Sequence, residues 1–182
     1  MQLPTKDECY KLMQQFGMYE NIVKHSEQVE SIALAIAEHV NDTITVNKQL
    51  LSTSALLHDI AKAICIEKKG RRHDVKGGEI LRDLGYVEIA LIVESHVIID
   101  NYDQNGPLEE REIIFYADKR VMHDEIVSID TRIDDLVERY GVTEDIKERI
   151  RQNKPFLILL EKKIQSFLTR DIELIIKDLI DE

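Results

Sequence analysis

Apolar residues recur at spacings of three and four along most of this chain, the period of helices that bury one face. The pattern predicts helices over residues 5–18, 21–40, 47–66, 74–84, 87–99, 108–122, 128–140, 143–151, 155–168 and 172–180. Gly17 and Gly85 close two of them, and the segments 67–72 and 100–107 read as loops by composition. Pro155 limits the join between two C-terminal helices. Gly77 and Gly78 are poor helix formers inside the 74–84 helix, so they point to a close backbone approach rather than to propensity. No strand series, internal repeat or low-complexity segment breaks the pattern. The expected fold is all-α, a single domain over residues 1–182 that is large enough to bury a real core.

Several predicted stripes carry a titratable side chain where an apolar one belongs. His58 and Asp59 sit between Leu56-Leu57 and Ile60-Ala61, in a run from 47 to 66 without Gly or Pro. An unpaired imidazole or carboxylate is costly to bury there. A divalent transition metal, which takes both imidazole nitrogen and carboxylate oxygen, would compensate for it. Two other His-Asp pairs differ in context. His73-Asp74 follows a basic loop, with Asp74 placed to cap a helix, and His123-Asp124 lies in a charged region with no histidine after it.

His25 lines up with Val29, Ile32, Ile36 and Val40; alone, it reads as a core histidine satisfied by a hydrogen bond. His39 lies about 21 Å farther along the same helix and reads as a surface or structural residue. His96 falls on a face with Ile89, Ile92, Val93 and Ile99, and Asp118 on one with Ile114, Ala117 and Val121. Each has a bland explanation singly. Taken together they are too many unrelated buried polar groups, and one shared metal centre removes most of their cost.

Charge narrows the ligand. A net charge of −11 argues against an extended nucleic-acid surface, which needs clustered Lys and Arg. Within this acidic chain, Lys68, Lys69, Arg71, Arg72 and Lys76 form a local basic cluster beside His73. Lys119 and Arg120 follow Asp118, and Lys62 lies three residues after Asp59. These positions favour a small anionic ligand. Cys9 and Cys65 are too few for a disulfide framework and read as reduced thiols. The N-terminus lacks the apolar core of a signal peptide, and the longest apolar run is six residues, 32–37. A cytoplasmic protein without membrane contact is expected. The stripes Leu157, Leu160, Ile164, Phe167 and Ile172, Ile175, Ile176, Leu179 read as internal packing, with a homodimer contact as the alternative.

The order His25, His58-Asp59, Asp118, with His73 and His96 between, resembles the HD-domain metal-dependent phosphohydrolase superfamily. The segments 73–80 (HDVKGGEI) and 115–119 (FYADK) are similar to the bacterial HD hydrolases that cut diadenosine tetraphosphate symmetrically. The likeness covers about residues 21–121, which would be the metal-binding core, with residues of about 128–182 as a C-terminal helical extension. Ala61 replaces the glycine of the His-Asp-Ile-Gly form, Val97 stands where a second adjacent histidine is common, and no Gly-Tyr-Pro signature is present. A cyclic-dinucleotide phosphodiesterase is thereby disfavoured.

The resemblance implies a first ion held by His25, His58, Asp59 and Asp118, and a second held by His73 and His96 with Asp59 bridging. One or two ions of iron, manganese or zinc would suit such ligands. The implied reaction is attack of metal-activated water on phosphorus in a small nucleotide or other phosphate ester or anhydride. Asp59 and Lys62 would serve catalysis. Lys62, Arg71, Arg72, Lys76 and Lys119 would hold the phosphates. Two rivals stay open: a metal-stabilised nucleotide-binding regulatory module without turnover, and a purely structural helical interaction protein.

Overall fold

The computed structural model describes residues 2–70 and 72–181. The described residues form eleven helices and one short hairpin, so the all-α expectation holds. Helix α1 (Lys6–Gln15) starts at a capping box in which Thr5 and Glu8 satisfy each other's backbone amides. Helix α2 (Glu20–Glu38) is the longest and buries Val29, Ile32, Ala33 and Ile36. It packs on α3 (Lys48–Leu57), which begins where the Asn47 side chain accepts from the Leu50 amide.

The helix expected over 47–66 is divided. It stops at Leu57, residues 58–61 form consecutive turns, and a separate α4 (Lys62–Glu67) follows. The turns are closed by the Ile60 amide on the Leu57 carbonyl and the Lys62 amide on the Asp59 carbonyl. His58 and Asp59 therefore sit at a helix end, not inside a helix.

Helices α5 (His73–Asp83) and α6 (Val87–Ser95) form an antiparallel pair. A Cβ on Gly77 would lie 3.0 Å from Val93 Cγ1, and one on Gly78 would run into the Glu94 side chain. The close approach expected from these glycines is thus with α6. Asp74 does not cap α5: Arg72 holds the cap position, and Asp74 lies buried in the first turn against the Arg72 guanidinium.

Helix α7 (Glu110–Asp118) is shorter than the 108–122 expectation. Beyond it, β1 (Val121–Met122) and β2 (Glu125–Ile126) pair antiparallel, Val121 opposite Ile126. His123 turns this hairpin with φ 57, in the left-handed region that His enters more readily than most residues. No apolar alternation announces so short a hairpin.

The C-terminal segment holds α8 (Ile129–Tyr140), α9 (Glu144–Arg151), α10 (Asn153–Ser166) and α11 (Ile172–Asp181). Pro155 lies in the first turn of α10, where its missing N–H is one the helix leaves unbonded anyway. Leu157, Leu160 and Ile164 are buried against the core, as are Ile172 and Ile176. Lys163 of α10 enters that core as a charged residue and meets Glu112 of α7 at 2.7 Å, both side chains almost fully buried. His39 is partly buried at the end of α2, and its carbonyl accepts from the Thr169 amide beyond α10. Among the described residues, no helix is long and apolar enough to cross a membrane.

Candidate metal centre

Three imidazoles are oriented by backbone carbonyls. His58, at the C-cap of α3, bonds the Ala55 carbonyl through Nδ1 at 2.7 Å. His96, at the C-cap of α6, bonds the Val93 carbonyl through Nδ1 at 2.6 Å. In both, the acceptor is in the last helical turn, where carbonyls lack the usual amide four residues on. His25, within α2, meets the His123 carbonyl through Nδ1 at 2.9 Å. A carbonyl can only accept, so each Nδ1 carries the proton and each Nε2 of the neutral ring presents a lone pair.

Those lone pairs converge on carboxylates. His25 Nε2 lies 2.9 Å from Asp118 Oδ1, and His58 Nε2 lies 3.4 Å from Asp59 Oδ2 and 3.8 Å from Asp118 Oδ1. His96 Nε2 is 3.6 Å from Asp59 Oδ1; His73 Nε2, at the start of α5, is 3.2 Å from the same oxygen and 3.1 Å from His96 Nε2. All these side chains except His73 are buried. His58 Nε2 and Asp59 Oδ1 are buried without a hydrogen-bond partner. Acceptors gathered around acceptors in the interior are compensated by a proton or a cation, and the orphaned atoms lie where a metal ion could bind. Two overlapping donor groups, His25–His58–Asp118 and His58–Asp59–His96, each have ligand atoms within 4.8 Å of one another.

Electrostatics agree. Burial alone would push both carboxyls up, but Lys62 and His58 hold Asp59 well below the usual carboxylate range, and Lys119, His25 and His58 do the same for Asp118. Burial lowers His96, which keeps its Nε2 free to ligate. Burial also works downward on His58, but Asp59 and Asp118 outweigh it and raise its pKa. A metal would displace the proton those carboxylates attract. Imidazole and carboxylate donors without thiolate fit iron, manganese or zinc. Protein purified without chelator is expected to contain transition metal. Stripping it should lower Tm, because a ligand of the native state stabilises by mass action. Elemental analysis with differential scanning calorimetry reads both.

The structure thus brings His25, His58, Asp59, His73, His96 and Asp118 together from α2, the α3–α4 turn, α5, α6 and α7. Lys62 Nζ lies 2.6 Å from Asp59 Oδ2, and Lys119 Nζ bonds Asp118 Oδ2 and, at 3.0 Å, the His96 carbonyl. Both lysines border a cavity of about 230 Å³ over the centre. The basic loop is placed differently. Arg72 spends its guanidinium on Asp74 and Lys76 pairs with Glu79; neither borders that cavity, and Arg71 lies outside the described residues.

Two features escaped the sequence reading. The His123 carbonyl orients His25, a main-chain contact with no side-chain signature. The far side of the cavity is built by α8–α10 with Arg132, Leu136, Tyr140, Ile150 and Asn153. A signal for Arg132 existed: it shares the buried stripe of α8 with Ile129, Ile133 and Leu136, as the histidines share theirs.

Comparison with known proteins gives the family. The HD domain profile matches residues 22–122, from α2 to β1. An uncharacterized protein of Methanocaldococcus jannaschii is 31% identical over 165 residues, covering 82% of this chain and 90% of its own length. A tRNA (cytidine(56)-2'-O)-methyltransferase of Picrophilus torridus is 26% identical over 190 residues, 97% of this chain but only 51% of the relative. Ribonuclease Y of Chloroflexus aurantiacus is 32% identical over 99 residues, 54% of this chain and 18% of the relative. No solved structure is significantly similar to the chain. With its profile match spanning the helices that carry the converging His and Asp residues, the chain belongs to the HD domain family, a family of metal-dependent phosphohydrolase type.

Proposed function

We propose that this protein is a metal-dependent phosphohydrolase acting on a small phosphorylated nucleotide. The observation that carries the reading is the set of Nε2 lone pairs aimed at Asp59 and Asp118, with His58 Nε2 and Asp59 Oδ1 left without protein partners. Asp59 faces two ways: Oδ1 toward His73 and His96, Oδ2 toward His58 and Lys62. It could therefore serve as a ligand on both sides if two ions bind. When bound, the metal supplies positive charge that polarises a phosphoryl oxygen and eases the loss of a proton from water. Lys62 and Lys119, each already beside a carboxylate, add ammonium charge for the equatorial phosphate oxygens. The Ala55, Val93 and His123 carbonyls keep the imidazoles from turning away.

The small size of the cavity and the net charge of −11 support a nucleotide over a polynucleotide. The motif resemblance extends the proposal to a dinucleoside polyphosphate; charge alone suits a nucleoside mono- or diphosphate equally. Two relatives bear names of enzymes that act on RNA, which favours a nucleotide-containing substrate.

A second reading, a metal-stabilised nucleotide-binding module without turnover, draws on one of them. The Picrophilus relative matches over almost all of this chain, yet it is named for methyl transfer, and the match spans only 51% of its length. The discriminating experiment is a phosphohydrolase panel run with added ferrous iron or manganese, with and without chelator. Chelator-sensitive turnover of at least one nucleotide is expected. Metal-loaded protein that binds nucleotides and turns none over selects the binding module.

A further inference from the structure

Arg132 is the most buried charged side chain of α8. It is 8% exposed, its Nη1 donates to Asp135 Oδ2 at 2.6 Å, and its Nε is buried with no partner. A buried guanidinium N–H without an acceptor is costly. Asp135 does not neutralise it alone, because Arg139 Nη1 lies 3.6 Å from the same Oδ2. Two guanidiniums share one carboxylate, which leaves surplus positive charge in a protein of net charge −11.

Position gives this charge a use. Arg132 borders the 230 Å³ cavity together with Asp59, Asp118, Lys62 and Lys119. It also borders a smaller hollow of about 120 Å³ beside His25 and the His123 turn. It is therefore next to both ends of the metal-ligand cluster, on an element outside the residues 22–122 matched by the family profile. The rest of that wall is of another character: Leu136, Tyr140 and Ile150 are apolar or aromatic, and Asn153 offers an amide. Tyr140 also borders a separate hollow of about 510 Å³ with Gly70 and Val142, so it stands between the two spaces.

We propose that α8–α10 form the substrate-recognition wall of this site, with Arg132 binding the phosphate and the Leu136–Tyr140–Ile150 surface holding one compact organic group. The substrate class is then a phosphomonoester of nucleoside monophosphate size. This rests on the phosphohydrolase reading above and narrows it. At about 230 Å³ the cavity lies below the roughly 300–1,000 Å³ usual for ligand pockets, which favours one compact group over two nucleosides joined by a polyphosphate. Arginine suits the task because its planar fork matches phosphate oxygens bidentately, which the ammoniums of Lys62 and Lys119 cannot do.

The test uses the full chain loaded with manganese. Inorganic phosphate binding is measured by calorimetry, and kcat and KM for adenosine 5′-monophosphate, ribose 5-phosphate and diadenosine tetraphosphate are measured beside it. Arg132→Ala is expected to weaken phosphate binding about 10–100-fold at unchanged metal content, the loss of one or two hydrogen bonds to a charged group. Arg132→Lys should restore part of that loss. Should the alanine variant lose its helical circular dichroism, the lysine variant carries the test, since it keeps the charge and loses the fork. Tyr140→Ala, at a half-exposed residue, should leave phosphate binding intact, narrow the preference for the adenosine ester over ribose 5-phosphate, and improve kcat/KM for diadenosine tetraphosphate. Wild-type phosphate affinity in both Arg132 variants overturns the assignment, as does a wild-type preference for diadenosine tetraphosphate. The two readings fail separately. Arg132-dependent phosphate binding without turnover rejects hydrolysis and keeps the recognition wall. Turnover that Arg132 variants leave unchanged keeps hydrolysis and rejects the wall.

Discussion

Asp59→Asn is expected to remove bound metal and phosphohydrolase turnover together while leaving helical content in place. The amide is nearly isosteric but presents one neutral oxygen where two charged ones now serve separate partners. Oδ1 faces His73 and His96; Oδ2 faces His58 and Lys62. Altering a residue that merely orients a metal ligand typically costs about 10–100-fold in metal affinity or activity, and losing a carboxylate that would itself ligate falls beyond that range. His58→Ala should follow it with losses of similar size, because His58 belongs to both donor groups. Metal content by elemental analysis, kcat/KM and far-UV circular dichroism on the same samples decide the matter. Full activity in either variant would remove the metal mechanism.

Lys163→Met should be the most destabilising single change in the C-terminal half. Lys163 donates to Glu112 Oε1 and to the Asp103 carbonyl, both at 2.7 Å, and neither charged side chain of the pair is more than 3% exposed. Removing one partner of such a pair strands the other charge in the core, at a cost of about 3–5 kcal/mol. For a chain of this length that corresponds to a fall in Tm of roughly 6–20 °C. Adding Glu112→Gln should recover much of it, since the amide carries no charge and can still accept from the Glu109 amide that Glu112 now caps. Urea and thermal denaturation of the two variants give the comparison. A single variant within 1 kcal/mol of wild type would mean that water reaches Glu112.

The legible parts of this protein were those with a local period or a local contradiction of it. Three-and-four spacing marks the helices because burial of one face is repeated every turn. Histidines and aspartates stand out on those faces because they break the repeat, and His25, His58, Asp59, His73, His96 and Asp118 do converge. The break after Leu57 was hidden. No Gly or Pro marks it, and the apolar Leu57, Ile60 and Ala61 on either side of His58-Asp59 stay in the core as a continuous helix would place them. The partners of the loop cations were not legible either: Arg72 pairs with Asp74 and Lys76 with Glu79, two and three residues away, and neither cation borders the cavity over the centre. Arg132 had the same signature as the histidines, a polar residue on an apolar stripe. It stands out less because a surface arginine is the ordinary expectation on an amphipathic helix.

The ligands are also unevenly spread along the chain, and that spacing has a consequence for how the centre is filled. His73 meets His96 across 23 residues, whereas His25 reaches Asp118 and the His123 carbonyl across 93 and 98. Closing a longer loop costs more entropy and comes later in folding. A chain emerging from the ribosome holds His25, His58, Asp59, His73 and His96 before it holds Asp118 or His123. An ion met during synthesis would be offered a centre without Asp118 and without the carbonyl that orients His25, while one met by the finished chain would be offered the full set. Metal taken up early and metal taken up late would therefore meet different ligand sets, and the ligand synthesised last, Asp118, marks when the set is whole.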